Sequence, residues 1–354
     1  MIRRSFGVLA ALALLAACGG GSKKAASTST STTSTTLATT TTVPPPVFPL
    51  TGLPATDQTN LKRPALVVKI DNADGAGSNS ARPQIGLNQA DVVYEEMVEG
   101  SVTRLAAVFQ SSDSDPVGPV RSARTTDIAV FTPLNRPLYA WSGANSDFAA
   151  IIRKSALIDV GVDAQPGAYE RRGDNGHIAP HNLYSSTPAL FALAPADAQP
   201  PSPLFTYRAA GEAVSTTGTP VATANLHFGG GAGSAPVDWN WDAASGSFLR
   251  TQKGTPDVDE NNVQMTAQNV VIEFVTYHDT GYVDPSGAPV PEGDLVGSGE
   301  CWVLTNGMLV KGTWNKPSTD AITTFADATG APIKLTPGRT WVELPPPGGA
   351  DARG

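Results

Sequence analysis

Arg82, Arg104, Arg121 and Arg124 are the residues of this chain best suited to chemistry. Three of them stand beside turns or strand starts, where loops commonly present binding groups. In Pro119-Val120-Arg121-Ser122-Ala123-Arg124 two guanidiniums precede an expected helix, whose first backbone N–H groups have no partner inside the helix. Forked cationic donors beside free N–H groups suit phosphate or carboxylate. Asp71 and Asp91 complete the candidate anion site, balancing charge or, together with Glu95, helping to hold a metal against a phosphate. An alternative stays open: the arginines pair with Asp71, Asp127 and Glu99 and simply lock the fold, because arginine clusters also make structural ion-pair networks.

Other residue patterns offer less. His177 and His181 are four apart with Asp174 nearby, but Pro180 argues against a regular helix that would put both rings on one face. A loop hydrogen-bonded to Asn182 and backbone is expected there, with no metal site. The chain lacks a His-Glu-x-x-His pattern, a nucleophile elbow, a phosphate loop and a dinucleotide fingerprint. No catalytic residue is assigned, no cofactor is expected, and whether the protein is an enzyme stays open. Cys301 lies in Glu300-Cys301-Trp302-Val303-Leu304, which reads as strand, so it is expected to be a small buried hydrophobe. Trp239, Trp241, Trp302, Trp314 and Trp341 could stack on sugars, yet in a β-rich region without disulfides they are expected to fill the core.

The elements that must position these groups fall into two halves. Ala65 to Ile70 is an apolar run expected to be a buried strand, ending in Asp71-Asn72. Asp91 to Val98 and Val102 to Gln110 read as two strands joined by a tight turn at Glu99-Gly100-Ser101. A helix is expected around Thr126 to Phe131, a strand at Leu138 to Trp141, an amphipathic helix over Asn145 to Lys154, and a strand at Leu157 to Val160. Alternating strands and helices argue for an α/β domain over residues 47–200. Beyond the Pro-rich stretch at 196–203, short runs rich in Val, Thr and aromatics are separated by Gly, Asp, Asn and Pro, so residues 201–354 are expected to be mostly β. In Asp238-Trp239-Asn240-Trp241-Asp242 strict alternation puts both tryptophans on one face. The fold class is therefore α+β with two domains, following a disordered Ser/Thr-rich linker.

That linker, residues 18–46, has almost nothing to bury and cannot offset its ordering entropy. Before it, residues 1–17 combine Arg3-Arg4, an apolar run from Phe6 to Leu15 and small residues, which is the build of a secretory signal. Leu15-Ala16-Ala17-Cys18 resembles the lipobox of bacterial lipoproteins, in which the cysteine is acylated and becomes the new N-terminus. Lipidation at Cys18 implies a palmitate-type lipid anchor in the cell membrane, on the extracytoplasmic face of the envelope. Arg3-Arg4 is also similar to a twin-arginine export signal, but Ile2 and Gly7 depart from that pattern and ordinary export is expected. The net charge is −8, and −10 once residues 1–17 remove Arg3 and Arg4 (−8 − 2). This sign excludes general nucleic-acid binding and electrostatic adhesion to anionic lipid. Residues 47–200 hold 12 Lys and Arg against 16 Asp and Glu, and residues 201–354 hold 8 against 16. The cations of this acidic chain thus concentrate in its first half.

Several stretches carry a resemblance. Arg63 to Asn72, Ala81 to Glu95, Val98-Glu99-Gly100-Ser101-Val102-Thr103-Arg104 and Val117 to Arg124 resemble the N-terminal domain of the YerB-type bacterial lipoproteins. Asn225-Leu226-His227-Phe228, Asp238 to Asp242, Gly312-Thr313-Trp314 and Pro337 to Leu344 resemble that family's C-terminal domain. The resemblance implies a two-domain extracytoplasmic lipoprotein and brings no established activity with it. The order strand, arginine, strand, turn, Pro-x-Arg is also similar to enzymes that attach polyprenyl-phosphate-linked glycans to the cell wall. That likeness points to a ligand class, a phosphate-bearing lipid or glycan. The expectation is thus an envelope lipoprotein binding an anionic ligand. Its alternatives are an enzyme on polyprenyl-phosphate-linked glycans and a structural or partner-binding module.

Overall fold

Leu66–Asp71 (β1) is an unbroken apolar run ending in a charge, and all six of its residues are buried. Burial on both faces requires strands beside it and layers above and below. Thr103–Phe109 (β3) pairs antiparallel along its whole length, with Asp71 directly opposite Arg104. Val92–Met97 (β2) pairs antiparallel with the other edge of β3. Leu138–Ala140 (β4) lies parallel to β1, and Ile158–Asp159 (β5) parallel to β4. Strand and helix alternate only from β4 through Ser146–Lys154 (α2) to β5, because β2 and β3 form an antiparallel pair that β1 joins on the other edge of β3.

This sheet does not stop at the boundary expected near residue 200. Thr340–Leu344 runs parallel to β2 on one side and to Asn269–Glu273 on the other. Gly297–Thr305, Met308–Lys316 and Thr324–Asp327 continue the order outward, so one eleven-stranded sheet spans both halves of the sequence. The structure is a computed structural model and describes residues 45–144, 146–229, 235–284 and 287–354. Residues 45–354 cluster as one unit. The expected signal peptide, Cys18, nearly all of the linker and Asn145 lie outside the described residues. Among the described residues, strands dominate, helices are short, and no helix is long and apolar enough to cross a membrane.

The two faces of the large sheet are covered differently. On one face lies a six-stranded sheet whose main order is Thr255–Pro256, Ser247–Gln252, Val237–Asp242, Thr223–Leu226 and Ala350–Arg353. Val68, Ile70, Leu105, Ala107, Val270 and Trp341 meet Trp239, Phe248 and Leu226 in the core between the sheets. Trp239 and Trp341 pack edge to face at 5.2 Å, and the Trp239 indole N–H donates to Glu343 Oε1 at 2.7 Å. Trp241 is half-buried against Phe248, so the tryptophan pair serves packing. On the opposite face Val67, Val108 and Tyr139 meet Phe131 of Thr126–Phe131 (α1), Leu134, and Ile152 of α2. Alternation along each strand decides which layer a side chain enters. Asp71, Lys69, Arg104 and Glu96 go to the helix face, while Glu95, Asn72 and Glu343 go to the sheet-on-sheet face.

Candidate functional site

Arg104, Arg121 and Arg124 line one cleft of about 520 Å³ on the helix face. Arg104 comes from the start of β3. Arg121 is fixed by its backbone: its N–H donates to Lys69 O at 2.9 Å, and its carbonyl accepts from Ser142 N at 2.9 Å. Arg124 immediately precedes α1, and its N–H donates to Asp127 Oδ2 at 2.6 Å. Asp127 also accepts from Tyr139 Oη at 2.5 Å and from Lys69 Nζ at 2.6 Å. Buried Lys69 bridges Asp127 to Glu96, and that network anchors the segment carrying two of the three arginines.

The hydrogen-bond donors in the cleft are incompletely satisfied. Arg124 Nη2 meets Glu99 Oε2 at 2.5 Å, but its Nε has no hydrogen-bond partner among the described residues. Arg121 Nε lies 3.1 Å from Asp71 Oδ2 without the alignment of a hydrogen bond. Arg104 donates to Ser122 O at 3.3 Å. Burial, together with the neighbouring Arg124 and Arg121, lowers the Arg104 guanidinium to about 10 against the pull of Asp71 and Glu99. Three guanidiniums therefore converge here with three carboxylates, Glu99 and Asp284 in the lining and Asp71 beside Arg121. Phe148, Val290 and Val283 form the apolar part of the lining.

Asp71 links this cleft to His181, whose Nδ1 lies 2.8 Å from Asp71 Oδ2. Burial pushes the Asp71 carboxyl up, but His181, Arg104 and Arg121 together outweigh it and hold it below the usual carboxylate range. His177 is buried elsewhere in that loop, with its N–H on Asn175 Oδ1 at 3.3 Å. Among the described residues no group of three or more His, Cys, Asp or Glu could hold a metal ion.

Two of the six expected ligands do not reach the cleft. Arg82 enters the other face of the sheet, where it pairs with Asp257 and donates to Asn72 Oδ1 at 2.9 Å. Asp257 is shared with buried Arg250, which also meets Glu95 Oε2 at 2.6 Å, so Arg82 belongs to a structural network between the sheets. Asp91 accepts from Gln110 N at 2.6 Å, Ser111 N at 2.8 Å and the Ser111 hydroxyl. It caps the far end of β3, although burial still raises its carboxyl above the ordinary value. Of the three pairings expected for a purely structural role, Arg121–Asp71 and Arg124–Glu99 are present, and Asp127 engages Arg124 through its backbone only. Ser122 and Phe148 escaped the sequence reading as site residues, and His181 was weighed there only in a metal pattern. Glu99 was legible as a turn residue and as an arginine's ion-pair partner, and Val290 arrives from the Tyr277–Val283/Pro289–Gly293 hairpin, far along the chain.

The fold and cleft define a class: a three-layer, strand-dominated protein whose two sequence halves share one sheet. Residues 50–199 match the family described as "Protein of unknown function (DUF3048) N-terminal domain", and residues 216–342 match its C-terminal domain. "Putative lipoprotein YerB" of Bacillus subtilis (strain 168) is 27% identical over 323 residues, covering 84% of this chain and 86% of that one. The crystal structure of YerB from Bacillus subtilis superposes with a TM-score of 0.73 at 24% identity, over 87% of this chain and all of that one, a likeness of fold. The chain belongs to the YerB-type two-domain family.

Proposed function

We propose that this protein is a lipid-anchored lipoprotein of the cell envelope that binds an anionic, phosphate-bearing ligand through Arg104, Arg121 and Arg124. The Leu15-Ala16-Ala17-Cys18 sequence and the name of the Bacillus relative support anchoring through Cys18 on the extracytoplasmic face. One observation carries the binding reading: three guanidiniums line one open cleft, and the buried Nε of both Arg121 and Arg124 makes no hydrogen bond among the described residues. A phosphate would supply the missing acceptors, each charge-assisted bond contributing roughly 1.5–3 kcal/mol.

Calorimetric titration with inorganic pyrophosphate tests this. Arg121 is the informative position because its side chain is 27% exposed and buried Asp71 keeps His181 as a partner when it is lost. Arg121→Ala is expected to weaken binding by about tenfold or more, one charge-assisted hydrogen bond's worth. Equal binding by a folded Arg121→Ala variant, or none by the wild type, would remove the anion site. A second reading, an enzyme acting on polyprenyl-phosphate-linked glycans, is favoured by Asp71, which sits between Arg121 and His181. That reading predicts turnover of a pyrophosphate-linked lipid that Asp71→Asn abolishes while pyrophosphate binding survives.

A further inference from the structure

A second cavity lies on the same sheet face, away from the arginines. It holds about 30 Å³ between Ala129 and Val130 of α1 and the strand residues Tyr94, Glu273, Lys316 and Val342. Glu273 ends the strand Asn269–Glu273, is 3% exposed, and its Oε1 has no hydrogen-bond partner among the described residues. An unsatisfied buried carboxyl oxygen costs roughly 1–3 kcal/mol and calls for a missing partner. Lys316 ends the strand Met308–Lys316 on the same wall and donates to Ala321 O, leaving two ammonium protons for other acceptors. The two side chains do not form a direct ion pair. Burial raises the Glu273 carboxyl to about 8 against the pull of Lys316, and burial lowers Lys316 to about 8 against the pull of Glu273.

The cavity is too small for more than a head group, since one water takes roughly 10–15 Å³ of such volume. It shares the walls Leu204, Phe205, Ile322, Thr323 and Phe325 with an open groove of about 570 Å³ that continues past Ile333 and Leu335. That size falls within the range of small-ligand sites, and apolar walls with a few convergent polar groups at the base are their usual build. We propose that this groove binds a small amphiphile with an alkyl body and a neutral hydroxyl head, the head donating to Glu273 and accepting from Lys316. A cationic head would meet Lys316 and an anionic one Glu273, so a neutral head that both donates and accepts fits the pair.

The test uses the compact unit, residues 45–354, with 1-octanol as probe and calorimetry as readout. Saturable binding of one molecule is expected. Glu273→Leu removes the acceptor and should weaken it by about tenfold, the worth of one buried hydrogen bond. Thr323→Trp fills the shared wall and should abolish binding, and its half-buried position makes it the safer variant if Glu273→Leu fails to fold. Both variants should bind pyrophosphate as the wild type does, which keeps this site's failure distinct from failure of the arginine cleft. Three results would overturn the proposal: no saturable octanol binding by folded wild type, binding unchanged in Thr323→Trp, or octanol-soaked crystals showing only water against Glu273.

Discussion

At the scale of single residues, the helix face of this protein is organised by buried charge. Lys69 is fully buried, with Glu96 and Asp127 as its partners. Lys69→Met would leave two carboxylates facing one another, and loss of one partner of such a network costs about 3–5 kcal/mol. Chemical denaturation should show that loss, together with weaker pyrophosphate binding, because Asp127 also holds the Arg124 backbone. On the other face, burial first and then the repulsion of Glu95 raise the Glu343 carboxyl well above its ordinary value, against Arg250 and the Trp239 indole. A raised carboxyl favours the folded state at low pH. Its stability contribution is complete below about pH 4 and lost as pH rises through the folded value. Glu343→Gln keeps an acceptor for Trp239 and cannot ionise. Stability measured from pH 5 to 9 should therefore decline less in the variant than in the wild type. An identical profile would mean that another group governs the decline.

At the scale of elements, close backbone approach is the clearest vulnerability. Gly312 sits where Met308–Lys316 pairs with Thr324–Asp327, and an added Cβ would collide with the Ala326 carbonyl. That neighbour is backbone and cannot rotate away. Gly312→Ala should destabilise by about 1–3 kcal/mol, as overpacking does, and hydrogen exchange should speed first in Thr324–Asp327 at the sheet edge. Most element positions were readable beforehand. Thr340–Leu344 and Thr126–Phe131 stand where apolar runs and turn residues put them, because local periodicity is enough to separate strand from helix. The partnering was not readable. Nothing in Thr340-Trp341-Val342-Glu343-Leu344 says that it lies parallel to β2, a quarter of a thousand residues earlier by rough order, since loop-closure entropy leaves long-range pairing to the whole core.

At the scale of the whole molecule, that one strand decides how the halves behave. Thr340–Leu344 separates β2 from Asn269–Glu273, so removing it exposes the edges of both. Residues 47–200 expressed alone should lack cooperative unfolding, whereas residues 45–354 should melt in a single calorimetric transition. Two separate transitions in the intact unit would contradict the shared core. By itself the sequence determined the export-signal pattern and Cys18, the composition of the linker, the acidic balance, the strand-rich second half and the three arginines that meet in a cleft, named there together with a fourth that does not. Those are properties of local pattern and of residue type. Only the tertiary structure decided that Arg82 and Asp91 face away from the cleft, that Glu99, Phe148 and Val290 join it, and that one carboxyl oxygen of Glu273 is buried without a hydrogen bond among the described residues. The physical reason is the alternation of a pleated sheet: neighbouring residues such as Asp71 and Asn72 enter opposite layers, and what each layer contains is set by segments distant in the chain.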